Sequence, residues 1–100
     1  MEHRFDFNFT KDGQMIYISH LDLLRLFARA ARRAGLEVAL TQGFNPHFRI
    51  KLSRALKLGV VSENEEGEIV LNSNMEISDL KNRWQNELPA GISIKEVRLR

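Results

Sequence analysis

The segment Arg4 to Phe9, RFDFNF, constrains the fold most, because three phenylalanines recur at every second position with Arg4, Asp6 and Asn8 between them. Successive side chains of a strand point to opposite faces. The alternation therefore puts Phe5, Phe7 and Phe9 on a buried face and the polar residues on a solvated one. A sheet covered on one side follows, and its cover has to come from helices or a second sheet. The 100 residues provide one small domain with a modest core.

The rest of the chain supplies that cover. Lys11 to Gly13 reads as a turn, and Met15 to Ile18 is a short apolar run whose pairing the pattern leaves open. Ser19 with Asp22 forms a variant of the capping box: the hydroxyl accepts from the Asp22 amide and the carboxylate reaches back. The spacing predicts a helix from about His20 to Ala34, with Leu24, Phe27, Ala28, Ala31 and Ala34 as its buried stripe and Gly35 as its left-handed stop. Phe48, Ile50 and Leu52, alternating with Arg49, Lys51 and Ser53, read as a second strand. Gly59 to Gly67 is acidic and reads as turn, followed by a third strand over Glu68 to Asn72. Ser78 is expected to cap a second helix that buries Leu80, Trp84 and Leu88 and stops at Pro89 and Gly91. In the final strand, ISIKEVRLR, the apolar phase slips between Ile94 and Val97, which implies a bulge near Lys95 or Glu96. Strand, helix, strand, strand, helix, strand is the α+β, ferredoxin-like βαββαβ order: an antiparallel sheet with two helices on one face.

Composition excludes several classes. No window approaches the roughly 18 consecutive apolar residues of a membrane span, and the amino terminus, MEHRFDFNF, has no basic leader with an apolar run. A cytoplasmic protein without membrane contact is expected. The absence of cysteine removes disulfides, thiolate metal sites, iron–sulfur ligation and cysteine nucleophiles together. Charge is uneven. Up to Lys57 there are ten Lys/Arg against five Asp/Glu, and from Leu58 onward five against eight, so a basic half precedes an acidic one.

The residues able to carry chemistry are few. Metal ligation would need His20, Asp22 and His47, but His20 and Asp22 stand two apart at a helix start and diverge, whereas helical ligand pairs want three or four residues. A capping Asp22 and a turn histidine account for them more simply. An imidazole can serve as a general acid–base group, yet no nucleophile accompanies His47. Gly43 stands alone, without a phosphate-loop pattern. On the outward sheet face, Arg4, Asp6 and Asn8 with Glu68, Val70 and Asn72 offer no aromatic for stacking bases. Nucleic-acid contact is instead expected from Arg25, Arg29, Arg32 and Arg33 along the helix, from Arg49, Lys51 and Arg54, and from the loop residues Gln42, Phe44 and His47. Such a set favours shape and phosphate recognition over base readout.

Five stretches, SHLDL (Ser19 to Leu23), RRAGL (Arg32 to Leu36), QGFNPH (Gln42 to His47), LGVVSENE (Leu58 to Glu65) and NELPAGISI (Asn86 to Ile94), resemble in order the motifs of a bacterial domain family of unknown function, the radical SAM-linked family. The resemblance implies a domain found alone or joined to a radical SAM protein, often encoded near RNA-processing and ribosome genes, with no established activity. That family usually continues QGFNPH with proline, where this chain has Phe48. Its domain is also longer, so the chain is expected to be an amino-terminal portion or a short member. The three-cysteine motif of a radical SAM enzyme is missing, so that chemistry does not reside in these residues.

Three expectations follow. The first is a non-catalytic binding module, without cofactor, that contacts RNA or a ribonucleoprotein through the basic half. The second is a protein-docking domain for a radical SAM partner. The third is part of an enzyme site using His20, Asp22 and His47.

Overall fold

A computed structural model describes all 100 residues. The chain runs through β1 (His3–Lys11), a short 3-10 helix (Gly13–Tyr17), α1 (His20–Arg33), β2 (Ile50–Leu52), β3 (Ser62–Leu71), α2 (Ile77–Gln85) and β4 (Ile92–Leu99). The four strands form one antiparallel sheet in the order β2-β3-β1-β4, consistent with a small α+β ferredoxin-like fold.

The alternation in β1 does what its period requires. Phe5, Phe7, Phe9 and, in the same phase, Lys11 are all fully buried. Phe7 meets Phe27 of α1 and Trp84 of α2 edge-on, with ring centroids 5.4 and 4.8 Å away, and Phe9 meets Phe27 at 5.1 Å. Such geometries add about 0.5–1.5 kcal/mol each beyond the area they bury. The Trp84 indole N–H donates to the Phe27 carbonyl at 3.0 Å, which satisfies its one polar atom and ties α2 to α1. Gly67 lies opposite Phe7 across the β1/β3 ladder, and a Cβ there would collide with the Phe7 ring and the Lys51 carbonyl. The phenylalanine thus fills the space that the glycine vacates.

α1 begins as expected, with Ser19 as N-cap accepting from the Asp22 amide. The Asp22 carboxylate, however, turns to Arg25 at 3.4 Å, so the reciprocal half of the capping box does not form. The buried face is Leu23, Phe27, Ala30 and Ala31. It is rotated by about 50° from the expected stripe, taking 100° per residue, and Leu24, Ala28 and Ala34 lie at its half-buried margin.

Four other expectations are corrected. β3 begins at Ser62, so the acidic stretch read as a turn is strand; its inward Glu65 and Gly67 hid the apolar alternation. β2 keeps only three residues, and Phe48 joins the sheet margin through an isolated bridge to Leu40. Val70 is buried where an exposed outward residue was expected, because the Ala39 amide and the Arg49 carbonyl hydrogen-bond its backbone from passing segments. α2 starts two residues earlier, with Glu76 as N-cap and Ser78 inside the helix. The open run Met15 to Ile18 falls in the 3-10 helix and its cap rather than in a strand.

The bulge in β4 is where the phase slip implied. Asn8 pairs with Glu96 and Phe9 with Ile94, leaving Lys95 as the extra residue. The Lys95 carbonyl accepts from the Lys81 ammonium at 2.9 Å, so this sheet edge is both kinked and occupied. No helix is long and apolar enough to cross a membrane.

Candidate nucleic-acid interface

α1 carries a cationic surface. At 100° per residue, Arg25, Arg29, Arg32 and Arg33 fall within an arc of about 100°, opposite the face that packs on the sheet. All four are exposed. Arg25 reaches Asp22, but no carboxylate lies within ion-pair distance of Arg29, Arg32 or Arg33. Arg29 and Arg33 border a shallow depression closed on its other side by Asn86, Glu87 and Pro89. Arg32 stands at the other edge of this arc, with its guanidinium carbon 5.2 Å from the centre of the Phe48 ring. That contact makes the helix stripe contiguous with the segment between α1 and β2.

This segment doubles back on itself. The Leu40 and Phe48 backbones form an antiparallel bridge, the Thr41 amide donates to the His47 carbonyl at 2.8 Å, and the Arg49 amide donates to the Ala39 carbonyl at 2.8 Å. The Thr41 hydroxyl accepts from the His47 amide at 3.1 Å. His47 Nδ1 sits 3.2 Å from the Asn45 carbonyl, so the imidazole helps to close the turn. Gly43 takes a φ of +126°, which side chains rarely adopt, and Pro46 fixes its own φ and disfavours a helical backbone at the preceding residue. Gln42 and His47 are exposed, and the Phe44 ring is completely so, at the tip.

The other expected contact residues are distributed differently. Arg49 is half-buried and pairs with Glu2 at 2.7 Å. Lys51 is exposed on β2, opposite Glu68 in the ladder. Arg54 grips Glu65 with two hydrogen bonds of 3.0 and 2.7 Å and leaves the free cationic surface. The outer sheet face is a mesh of opposite charges. Arg100 joins Asp6 at 2.6 Å and Glu68 at 2.7 Å, and Arg4 approaches Glu68 at 3.9 Å. The Asp6 hydrogen bond, with that carboxylate's charge, raises the Arg100 pKa further above its ordinary value.

No group of three or more His, Asp or Glu side chains is placed to hold a metal ion. His20, Asp22 and His47 therefore make no common centre: Asp22 is engaged by Arg25 and His47 by its own turn, while His20 keeps a buried Nδ1 without a hydrogen-bond partner.

A polar cluster escaped the sequence reading. Lys11 is fully buried, and its ammonium donates to the carbonyls of Lys57 at 3.0 Å and Ile16 at 3.5 Å. The Ile16 carbonyl also accepts from the Gly59 amide, so one lysine holds the 3-10 helix and the loop before β3 together. The neighbouring Glu65 is buried too. The Arg54 guanidinium lowers its carboxyl pKa against the opposing effect of burial, with the Ser62 hydroxyl and the Lys11 charge assisting. The signal was present in the period of β1, since Lys11 continues the phase of Phe5, Phe7 and Phe9.

Fold and surface together define a small α+β, ferredoxin-like domain with a charge-compensated sheet and an uncompensated arginine helix. The chain belongs to a family of uncharacterized proteins conserved in bacteria (DUF2344), whose model matches residues 4–99. Association with radical SAM proteins is no part of that match. No curated protein matches the chain.

Proposed function

We propose that the domain binds RNA, free or in a ribonucleoprotein, through the exposed face of α1. The reading is carried by one observation: Arg29, Arg32 and Arg33 stand exposed on one helix face with no carboxylate partner, whereas the sheet arginines are paired within the fold. Unpaired guanidiniums on a rigid helix attract phosphate oxygens and release counterions when they bind them. Arg25 joins this surface by exchanging Asp22 for a phosphate, whereas Lys51 lies with Arg4 and Glu68 on the outer face of the sheet. Contacts of this kind position a backbone and are tolerant of sequence.

Fluorescence anisotropy with a structured RNA at two salt concentrations tests the proposal. Binding should weaken steeply with salt, and the triple variant Arg25→Ala, Arg29→Ala, Arg32→Ala should lose most of it while keeping the wild-type unfolding midpoint. Absence of binding at about 50 mM salt sinks the reading, because phosphate-driven affinity is greatest at low salt.

A second reading, protein docking, has its own support. Tyr17, Leu58, Val60 and Val61 are exposed where the 3-10 helix meets the loop before β3. The resemblance in the sequence motifs suggests a radical SAM protein as partner. A complex of that kind rests on apolar burial and should survive salt that dissociates RNA; co-purification at high and low salt separates the two readings.

A further inference from the structure

Four of the six phenylalanines, Phe5, Phe7, Phe9 and Phe27, are fully buried, and Phe48 is half-buried beneath Arg32, but Phe44 is exposed over its whole surface. No fold requirement explains it. The ring makes no aromatic pair, and the backbone of its turn is held by Thr41, His47 and Gly43 without help from the Phe44 side chain. The turn is nonetheless well braced, so the ring is presented on a fixed pedestal rather than on a slack loop. Its neighbours Gln42, Gly43 and Asn45 provide no second apolar side chain to surround it, as an anchor buried in a protein pocket would want. They leave both faces of the ring open. Phe44 also stands four residues from Phe48, at most about 14 Å of extended chain, and Phe48 carries the Arg32 guanidinium. An aromatic face and a phosphate-binding stripe are thus held within a few nucleotides of each other.

We infer that Phe44 is the stacking platform for one unpaired base of the RNA whose phosphates lie on α1. This rests on the proposed RNA-binding face and narrows its ligand class to RNA with a single-stranded overhang, loop or bulge beside a duplex. The bases inside a duplex already stack on each other and are not available to the ring. Single-stranded bases offer a free π-face, and a phenyl ring with no hydrogen-bonding group accepts any of them.

The test uses two labelled RNAs, a blunt duplex of about 12 base pairs and the same duplex with a short 3′ overhang, titrated by anisotropy at about 50 mM salt. Phe44→Ala should weaken binding of the overhang RNA by about fivefold to a hundredfold and leave the blunt duplex unaffected. Phe44→Trp should restore the preference, and its exposed indole should be quenched by the overhang RNA alone; Trp84, fully buried, contributes a constant background. Arg29→Ala with Arg33→Ala should weaken both RNAs alike. Circular dichroism of the Phe44 variants, unchanged because the ring packs on nothing, secures the comparison. If Phe44→Ala binds both RNAs as the wild type does, or loses both equally, the stacking inference is overturned while the arginine reading stands. If neither RNA binds the wild type, both fall together.

Discussion

The cations of the sheet and the cations of α1 have the same chemistry and opposite circumstances. On the sheet, Arg100 lies between Asp6 and Glu68, Arg4 approaches Glu68, and Arg54 is bidentate on Glu65. On α1, Arg29, Arg32 and Arg33 meet no carboxylate. The excess of basic residues before Lys57 and of acidic residues after Leu58 does not make two charged halves in space. β3, from the acidic part, lies between β1 and β2 from the basic part, so the sheet neutralises itself, and the helix, which faces away from β3's carboxylates, keeps its charge. Free cationic surface depends on which elements are neighbours, not on the linear count.

This contrast predicts a graded series, measured by urea unfolding. Lys11→Ala should cost the most, about 3 kcal/mol, because it removes a packed alkyl stem and two hydrogen bonds that hold separate loops. Glu65→Ala should cost about 2 kcal/mol, through the loss of the charge-assisted hydrogen bonds to Arg54. The Glu65 carboxyl has a lowered pKa in the fold, so its contribution is complete above the ordinary glutamate range and is lost as the pH falls through the folded value. Unfolding midpoints taken from pH 7 downward should show that loss in the wild type and a shallower one in Glu65→Ala. Arg100→Ala should have a smaller effect that shrinks as salt is added, since the guanidinium is exposed. Arg29→Ala with Arg33→Ala should change stability by no more than about 0.5 kcal/mol, while lowering the salt slope of RNA binding by about one per arginine. A destabilisation by the last pair as large as that of Glu65→Ala would collapse the distinction between structural and free cations.

The sequence revealed the parts whose local chemistry agrees with the fold. The phenylalanine alternation, the Ser19 cap, the Gly35 stop and the slipped phase at Lys95 each have a short-range cause, and each is present. β3 was half hidden because two inward positions carry Glu65 and Gly67, neither of which reads as core; one needs Arg54 and the other needs the Phe7 ring, partners 11 and 60 residues away. The same limit applies to the surface. The arginine stripe follows from helical spacing, but the separation of free arginines from paired ones requires the cross-strand order. The exposure of Phe44 followed from its place in a turn, whereas the bracing of that turn by Thr41 and His47 did not.

The position of β1 in the middle of the sheet also sets a schedule. It is made first, yet its two hydrogen-bonded edges wait for β3 and β4, whose residues pair with it across separations such as Phe5 with Ile69 and Phe5 with Leu99. During synthesis three phenylalanines on a strand with both edges open must be shielded by α1 alone, through Phe27. Such long-range pairing slows folding and prolongs the exposure of sticky intermediates. The nascent chain is therefore most vulnerable to aggregation before residues 92–99 are available to close the sheet.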